Sequence, residues 1–358
     1  MRIKKALFLG TLCTAVSGMS LFAQAGVSYA KSAEKTTEAA SSEEAESEEE
    51  TSEEVTYPIT IEHAFGETVI ESKPERIATI GWENQDTPLA LGVAPVGVSA
   101  ANYGMVTDNN LHPWTDEAFA DLGVEKPVVF DDVDGLDFEQ ISDCNPDVIL
   151  AAYSGMTQED YDTLSQIAPV IPYKEKAWHT SWREQTIENA EGMGMKPEGE
   201  KKVKEVEDLI AEKLEEYPQL EGIPTAFCWI SADDFSTFYV YLPTDPRAAY
   251  LLDLGLTLPE SVQKLAGETD DFNITVSREN ADQLDDIQLM VVYGDEDLLK
   301  SLQEDKLMSQ IPAIKNGAVV LIDSTSALAG AATPSILSIP YEIDEYLQLL
   351  SDAAENIK

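Results

Sequence analysis

The run Asn145–Tyr173, NPDVILAAYSGMTQEDYDTLSQIAPVIPY, decides how this chain is read. It holds two strand-like runs, Asp147–Ala152 and Pro169–Tyr173, with the near-continuous apolar character of strands buried on both faces. Between them Tyr161, Leu164 and Ile167 recur at the spacing of a short amphipathic helix. Strand, helix and strand in that order make one unit of a parallel sheet, because parallel neighbours need a crossover of a dozen residues or more. Tyr153 follows the first strand directly. Ligands of open α/β sheets sit at the carboxyl ends of strands, so the unit marks a place for function as well as a fold.

The pattern extends both ways. Residues 57–70 alternate on either side of Phe65-Gly66, as a hairpin does. Strands at Ile77–Ile80, Val96–Val98 and Pro127–Phe130, with helices at Thr87–Leu91 and Asp137–Ser142, complete an α/β lobe over residues 57–196. Pro197–Tyr217 is the strongest helix: Val203, Val206, Leu209, Ile210 and Leu214 form one apolar stripe, and about twenty residues span roughly 30 Å. A second lobe, 218–358, follows, with strands at Thr225–Ile230, Phe238–Leu242, Leu289–Tyr293 and Val319–Ile322. Its helices are Arg247–Leu254, Arg278–Leu284 and Tyr341–Leu350. Asn280–Tyr293 echoes Phe138–Tyr153, each a short acidic helix leading into a buried strand that ends in Tyr. The expected architecture is two parallel-sheet α/β lobes joined by a single long interlobe helix, with a ligand cleft between the lobes.

The termini and composition bound the function. Arg2, Lys4 and Lys5 precede an uncharged run, Ala6–Ala30, that ends in small residues at Ala23-Gln24-Ala25 and Ser28-Tyr29-Ala30. Residues 1–30 therefore read as a secretory signal peptide, cleaved after Ala25 or Ala30. Cys13 lies inside the apolar run, not after it, which argues against a lipidated cysteine. Residues 31–56 hold ten Glu and two Lys among Ser, Thr and Ala, a composition that reads as a disordered acidic tether. The formal charge of −44 excludes a nucleic-acid footprint and repels anionic lipid. Cys144 and Cys228 fall in different lobes, read as buried apolar residues and make no disulfide framework.

With this organisation the chain resembles the substrate-binding proteins of ABC importers for ferric siderophores, haem and cobalamin, above all the iron–siderophore branch. The resemblance lies in ESKPERIATIGWENQDTPLALGVAPVGV (71–98), DFEQISDCNPDVILAAYSG (137–155), YDTLSQIAPVI (161–171), DPRAAYLLDLGL (245–256) and AATPSILSIPYEIDEYL (331–347). It implies two lobes joined by one long helix, no catalysis and no cofactor. It also implies a monomer, exported to the cell surface or periplasm, that passes a small-molecule iron chelate to an ABC permease. That family docks through one surface Glu on each lobe, and the matching positions are Glu139 and Glu279.

Strand ends select the remaining candidates. They are Trp82, Glu83, Tyr103, Tyr153 and Trp178 on the first lobe, and Phe235, Tyr239 and Arg247 on the second. Aromatic faces give stiff contact area and attract cations, and an Arg pairs with ligand oxygens. Each has a blander reading as a core or rim residue. Trp114, in LHPWTDEAF, reads equally as a lip over the cleft or a loop anchor, and Trp182 and Arg183 as packing at a helix start. His63, His112 and His179 are far apart and no Cys pair has ligand spacing, so a bare metal ion is not expected, although one Tyr or His can ligate haem. An exported enzyme is the rival from another class. It would need Glu83 and Asp86, around which the sequence suggests no tuning.

Overall fold

The computed structural model describes residues 55–132 and 135–358. The expected signal peptide, and all of the tether except its last two residues, lie outside the described residues. The strands are β1 (Ile59–His63), β2 (Gly66–Ile70), β3 (Ile77–Thr79), β4 (Gly97–Ser99), β5 (Val129–Phe130), β6 (Val148–Ala151), β7 (Val170–Pro172), β8 (Thr225–Trp229), β9 (Thr237–Tyr241), β10 (Asn273–Ser277), β11 (Leu289–Tyr293) and β12 (Val319–Ile322). β1 and β2 form an antiparallel hairpin. The others form two five-stranded sheets, ordered β5-β4-β3-β6-β7 and β10-β9-β8-β11-β12. The fold is two α/β lobes, as the opening unit implies.

The first sheet is parallel throughout. Every residue of β3 and β6 is buried, as strands covered by helices on both faces must be. The second sheet departs from the expectation of two parallel sheets. β8, β11 and β12 run parallel, but β9 is antiparallel to both β8 and β10. The chain between β8 and β9 is too short for a crossover, so it can only turn back. In each sheet the strand order reverses at one point, between β3 and β6 in the first and between β8 and β11 in the second. Such switch points open a crevice at the carboxyl ends of the strands.

The long helix spans Lys196–Leu214, with Pro197 in its first turn, and gives way to a short 3-10 turn at Pro218–Leu220. It packs closely on the Trp182–Gly192 helix, where a Cβ on Gly199 would come within 2.4 Å of the Ala190 Cβ. Its Val203, Val206 and Ile210 join Trp182, Phe227, Tyr250, Leu289 and Tyr346 in one core. Ala90, Tyr103 and Ile187 of the first lobe pack against that same core. Polar ties also cross between the lobes. The Trp182 indole and the Arg183 guanidinium both donate to Asp253, at 3.0 and 2.8 Å. The Met105 amide donates to the Ser326 carbonyl at 2.9 Å.

One local expectation changes and another is refined. LHPWTDEAF is not a loop: Pro113–Asp121 is a helix, started by its proline. The expected helix at Arg278–Leu284 is present as a tighter 3-10 helix over Arg278–Gln283, which sharpens that expectation. Cys144 and Cys228 are buried free thiols, packed in separate cores.

Candidate functional site

The site grows from the switch point of the first sheet. After β3 the chain turns at Gly81, whose φ is +81°, and a Cβ there would come within 2.6 Å of the Tyr153 carbonyl oxygen. Only glycine satisfies both constraints. The turn presents Trp82 and Glu83. Asn84 then fastens it across the switch point. Its amide nitrogen donates to the Ile80 and Tyr153 carbonyls at 2.8 and 2.9 Å, and its oxygen accepts from the Tyr153 amide at 3.1 Å. Asn189 also donates to that oxygen, at 2.9 Å. The sequence reading missed Asn84, a short polar residue whose role rests wholly on its partners.

Trp178 completes an aromatic cluster. Its ring meets Tyr153 edge-on at 5.1 Å and Trp82 at 6.0 Å between centroids. Gly155 lies under the indole, where a Cβ would come within 2.6 Å of Nε1. Glu83 and Trp178 both hold left-handed backbone, with φ of 59° and 63°. Bulky residues hold that conformation only where the surroundings impose it, and such residues gather at functional sites.

The second lobe brings Asp245, Arg247 and Phe272 to the same place. With Trp82, Tyr153 and Trp178 they line a cavity of about 170 Å³. The Arg247 guanidinium lies 3.9 Å above the Tyr241 ring and donates twice to the Asp245 carboxylate, at 2.8 and 2.7 Å. These bonds hold its pKa above the ordinary arginine value although burial opposes them. Tyr103 and Tyr293 meet edge-on at 5.3 Å, and burial raises both phenols against the pull of the Arg247 charge. Trp82 and Trp178 also line a neighbouring cavity of about 300 Å³, with Asn102, Asp132, Ser154, Met156 and Asp160. Burial raises the Asp132 carboxyl, which accepts a hydrogen bond from Ser99. Across the opening, the Lys176 ammonium reaches Asp270 of the second lobe at 3.2 Å.

Trp82, Tyr153, Trp178 and Arg247 therefore share one cavity. Tyr103 and Glu83 share a third, small cavity beside them. Phe235 packs against the second core, with Arg278 6.0 Å from its ring, and does not line these cavities. Tyr239 is 39% exposed and pairs with Trp229 at 5.5 Å, outside the same cavities. Glu139 and Glu279 are exposed, each in the first turn of its helix. Trp114 is an anchor, buried and donating to Asp86 at 2.9 Å.

Burial does tune the acidic pair. The Asp86 carboxyl rises to about 6 through desolvation, against hydrogen bonds from Ser335, Thr115 and Trp114. Glu83 rises well above the ordinary range through desolvation and the nearby Asp86 charge. Ser335 belongs to the chain beyond β12, so Asp86 is a tie between lobes. Asp245, Phe272 and Tyr293 also escaped the sequence reading. Tyr293 alone had a signal, as the end of the segment that echoes Tyr153. Among the described residues no group of three or more His, Cys, Asp or Glu is placed to hold a metal ion.

Comparison with known proteins fits this geometry. A family model described as periplasmic binding protein matches residues 77–325. The chain is 48% identical to PiaA of Streptococcus pneumoniae, solved in complex with ferrichrome, over 84% of this chain and 100% of that one, with a TM-score of 0.80. It is 24% identical over 305 residues to the petrobactin-binding protein YclQ of Bacillus subtilis, covering 81% of this chain and 88% of that protein. SirA of Staphylococcus aureus, complexed with staphyloferrin B, shares the fold at 23% identity over 84% of this chain and 99% of that one, with a TM-score of 0.64.

Proposed function

This chain belongs to the periplasmic binding protein family, and we propose that it captures a ferric siderophore between its lobes and hands it to an ABC permease for iron uptake. The observation that carries this reading is the cavity where Trp82, Tyr153 and Trp178 face Arg247. A siderophore fills the coordination shell of its own iron, so its receptor binds organic surface. Stiff rings and one oriented guanidinium suit that task. The PiaA complex with ferrichrome, at 48% identity, supports the ligand class.

In this reading Trp82, Glu83, Tyr103, Tyr153, Trp178 and Arg247 meet the ligand. Tyr239, beside Trp229, extends the aromatic surface along the second lobe, and Phe235 buttresses it. Glu139 and Glu279 contact the permease. Residues 1–30 direct export, 31–56 tether the protein at the cell surface, and 197–217 join lobes 57–196 and 218–358. The protein acts as a monomer and catalyses no reaction.

Titration of tryptophan fluorescence tests the reading. A ferric siderophore quenches it, whereas haem and cobalamin do not. Trp82→Ala and Arg247→Ala each weaken siderophore affinity by about 10- to 100-fold, the scale of one desolvated cation–π or charge-assisted contact. A siderophore panel without quenching, beside quenching by haem, would assign the protein to a different ligand.

A further inference from the structure

The small cavity beside Trp82 has a chemistry of its own. Its volume is about 20 Å³, room for one group the size of a water molecule. Glu83, Gln85 and His112 are among its walls, and they are only 5%, 4% and 8% exposed. Glu83 Oε2 and Gln85 Oε1 find no hydrogen-bond partner among the described residues. His112 Nδ1 lies 3.2 Å from the Met105 carbonyl oxygen. A carbonyl only accepts, so Nδ1 carries the ring proton. Burial lowers the pKa of the imidazole and so favours its neutral form, in which Nε2, 4.0 Å from Glu83 Oε1, is a bare lone pair.

Three buried side chains that offer acceptors thus wall one small space, and a buried acceptor without a donor is costly; burial favours the protonated Glu83 carboxyl until a cation sits beside it. The group that answers them is all donor. A primary ammonium has three N–H bonds, no lone pair and a charge opposite to that of a carboxylate. Gly81, Trp82 and Asn102 wall both this cavity and the 300 Å³ one, so the two adjoin, and an arm of a ligand in the larger has only this shared wall to pass. Asp86 does not compete for the guest, because Trp114, Thr115 and Ser335 already donate to it.

We infer that Glu83, Gln85 and His112 form a subsite for a primary ammonium carried on an arm of the ligand. The inference rests on the siderophore reading and deepens it, naming a cationic ferric chelate with a free amine. An ammonium seated there also supplies the counter-charge that lets Glu83 ionise.

Two ferric trihydroxamates that differ at a single amine test it. Ferrioxamine B carries one free alkylammonium arm, and its N-acetyl derivative is neutral there. Tryptophan fluorescence of the full-length protein measures both affinities. The amine form binds at least about tenfold tighter, as a buried charge-assisted contact implies. In Glu83→Gln the ratio of the two falls towards one. Thermal melting confirms that the variant folds, and the wild-type ratio decides the matter if it does not. Equal wild-type affinities overturn the subsite and leave the siderophore reading standing. So does binding of other ferric siderophores but of neither ferrioxamine. Quenching by no ferric siderophore at all overturns both.

Discussion

Asn84 shows how one side chain sets the geometry of a site. It satisfies two carbonyls and one amide at the ends of β3 and β6, fixing the angle between the Trp82 turn and Tyr153. Asn84→Ala strands those groups without giving them water. It costs roughly 2–4 kcal/mol of stability in urea unfolding and weakens ligand affinity in the same protein. The shared place of Trp82, Tyr153 and Arg247 at one cavity was legible because large residues at strand ends stand out in a linear sequence. The places of Asn84 and Asp245 were not. Their meaning lies in partners distant along the chain or, for Asp245, in the bidentate grip on Arg247 two residues away. Phe235 packs against the second core and lines none of the site's cavities, because sequence places a ring near a strand end but not on a face of the sheet.

At the scale of elements, buried strands and the long helix were legible because their periodicity is strong. β9 was legible as a strand but not in direction, although the short span between β8 and β9 carried that information. β10, with mostly half-exposed residues, has no apolar run to betray it. The Trp182–Gly192 helix holds a carboxyl whose burial makes stability depend on pH. Its Glu188 carboxyl rises to about 8 from an ordinary 4.5, through desolvation first and then the charge of Glu184. The folded state therefore holds this proton more tightly than the unfolded chain. The stability so gained is complete below pH 4.5 and is lost as pH rises through 8. Glu188→Gln raises the melting temperature at pH 9 and leaves it nearly unchanged at pH 4. The gain at high pH is roughly 1–3 kcal/mol once residual solvent screening is discounted.

For the whole molecule, the two exposed glutamates sit in corresponding segments, one per lobe. Replacing both Glu139 and Glu279 with Ala leaves siderophore titration unchanged and abolishes uptake in cells that lack the native protein. Loss of binding in the double variant would place these residues in the ligand site instead. The charge of −44, evident from composition alone, makes self-repulsion a constant tax on the folded state. Raising sodium chloride from about 0.01 to 0.5 M shortens the screening length from roughly 30 Å to a few ångströms and raises the melting temperature. The core around the long helix has a thermodynamic consequence. Ala90, Tyr103 and Ile187 lean on the same apolar body as Phe227 and Tyr346, so neither lobe can lose its packing and leave the other intact. Heating should give one cooperative endotherm, with calorimetric and van't Hoff enthalpies in agreement. A domain pair joined by a mere linker would give two.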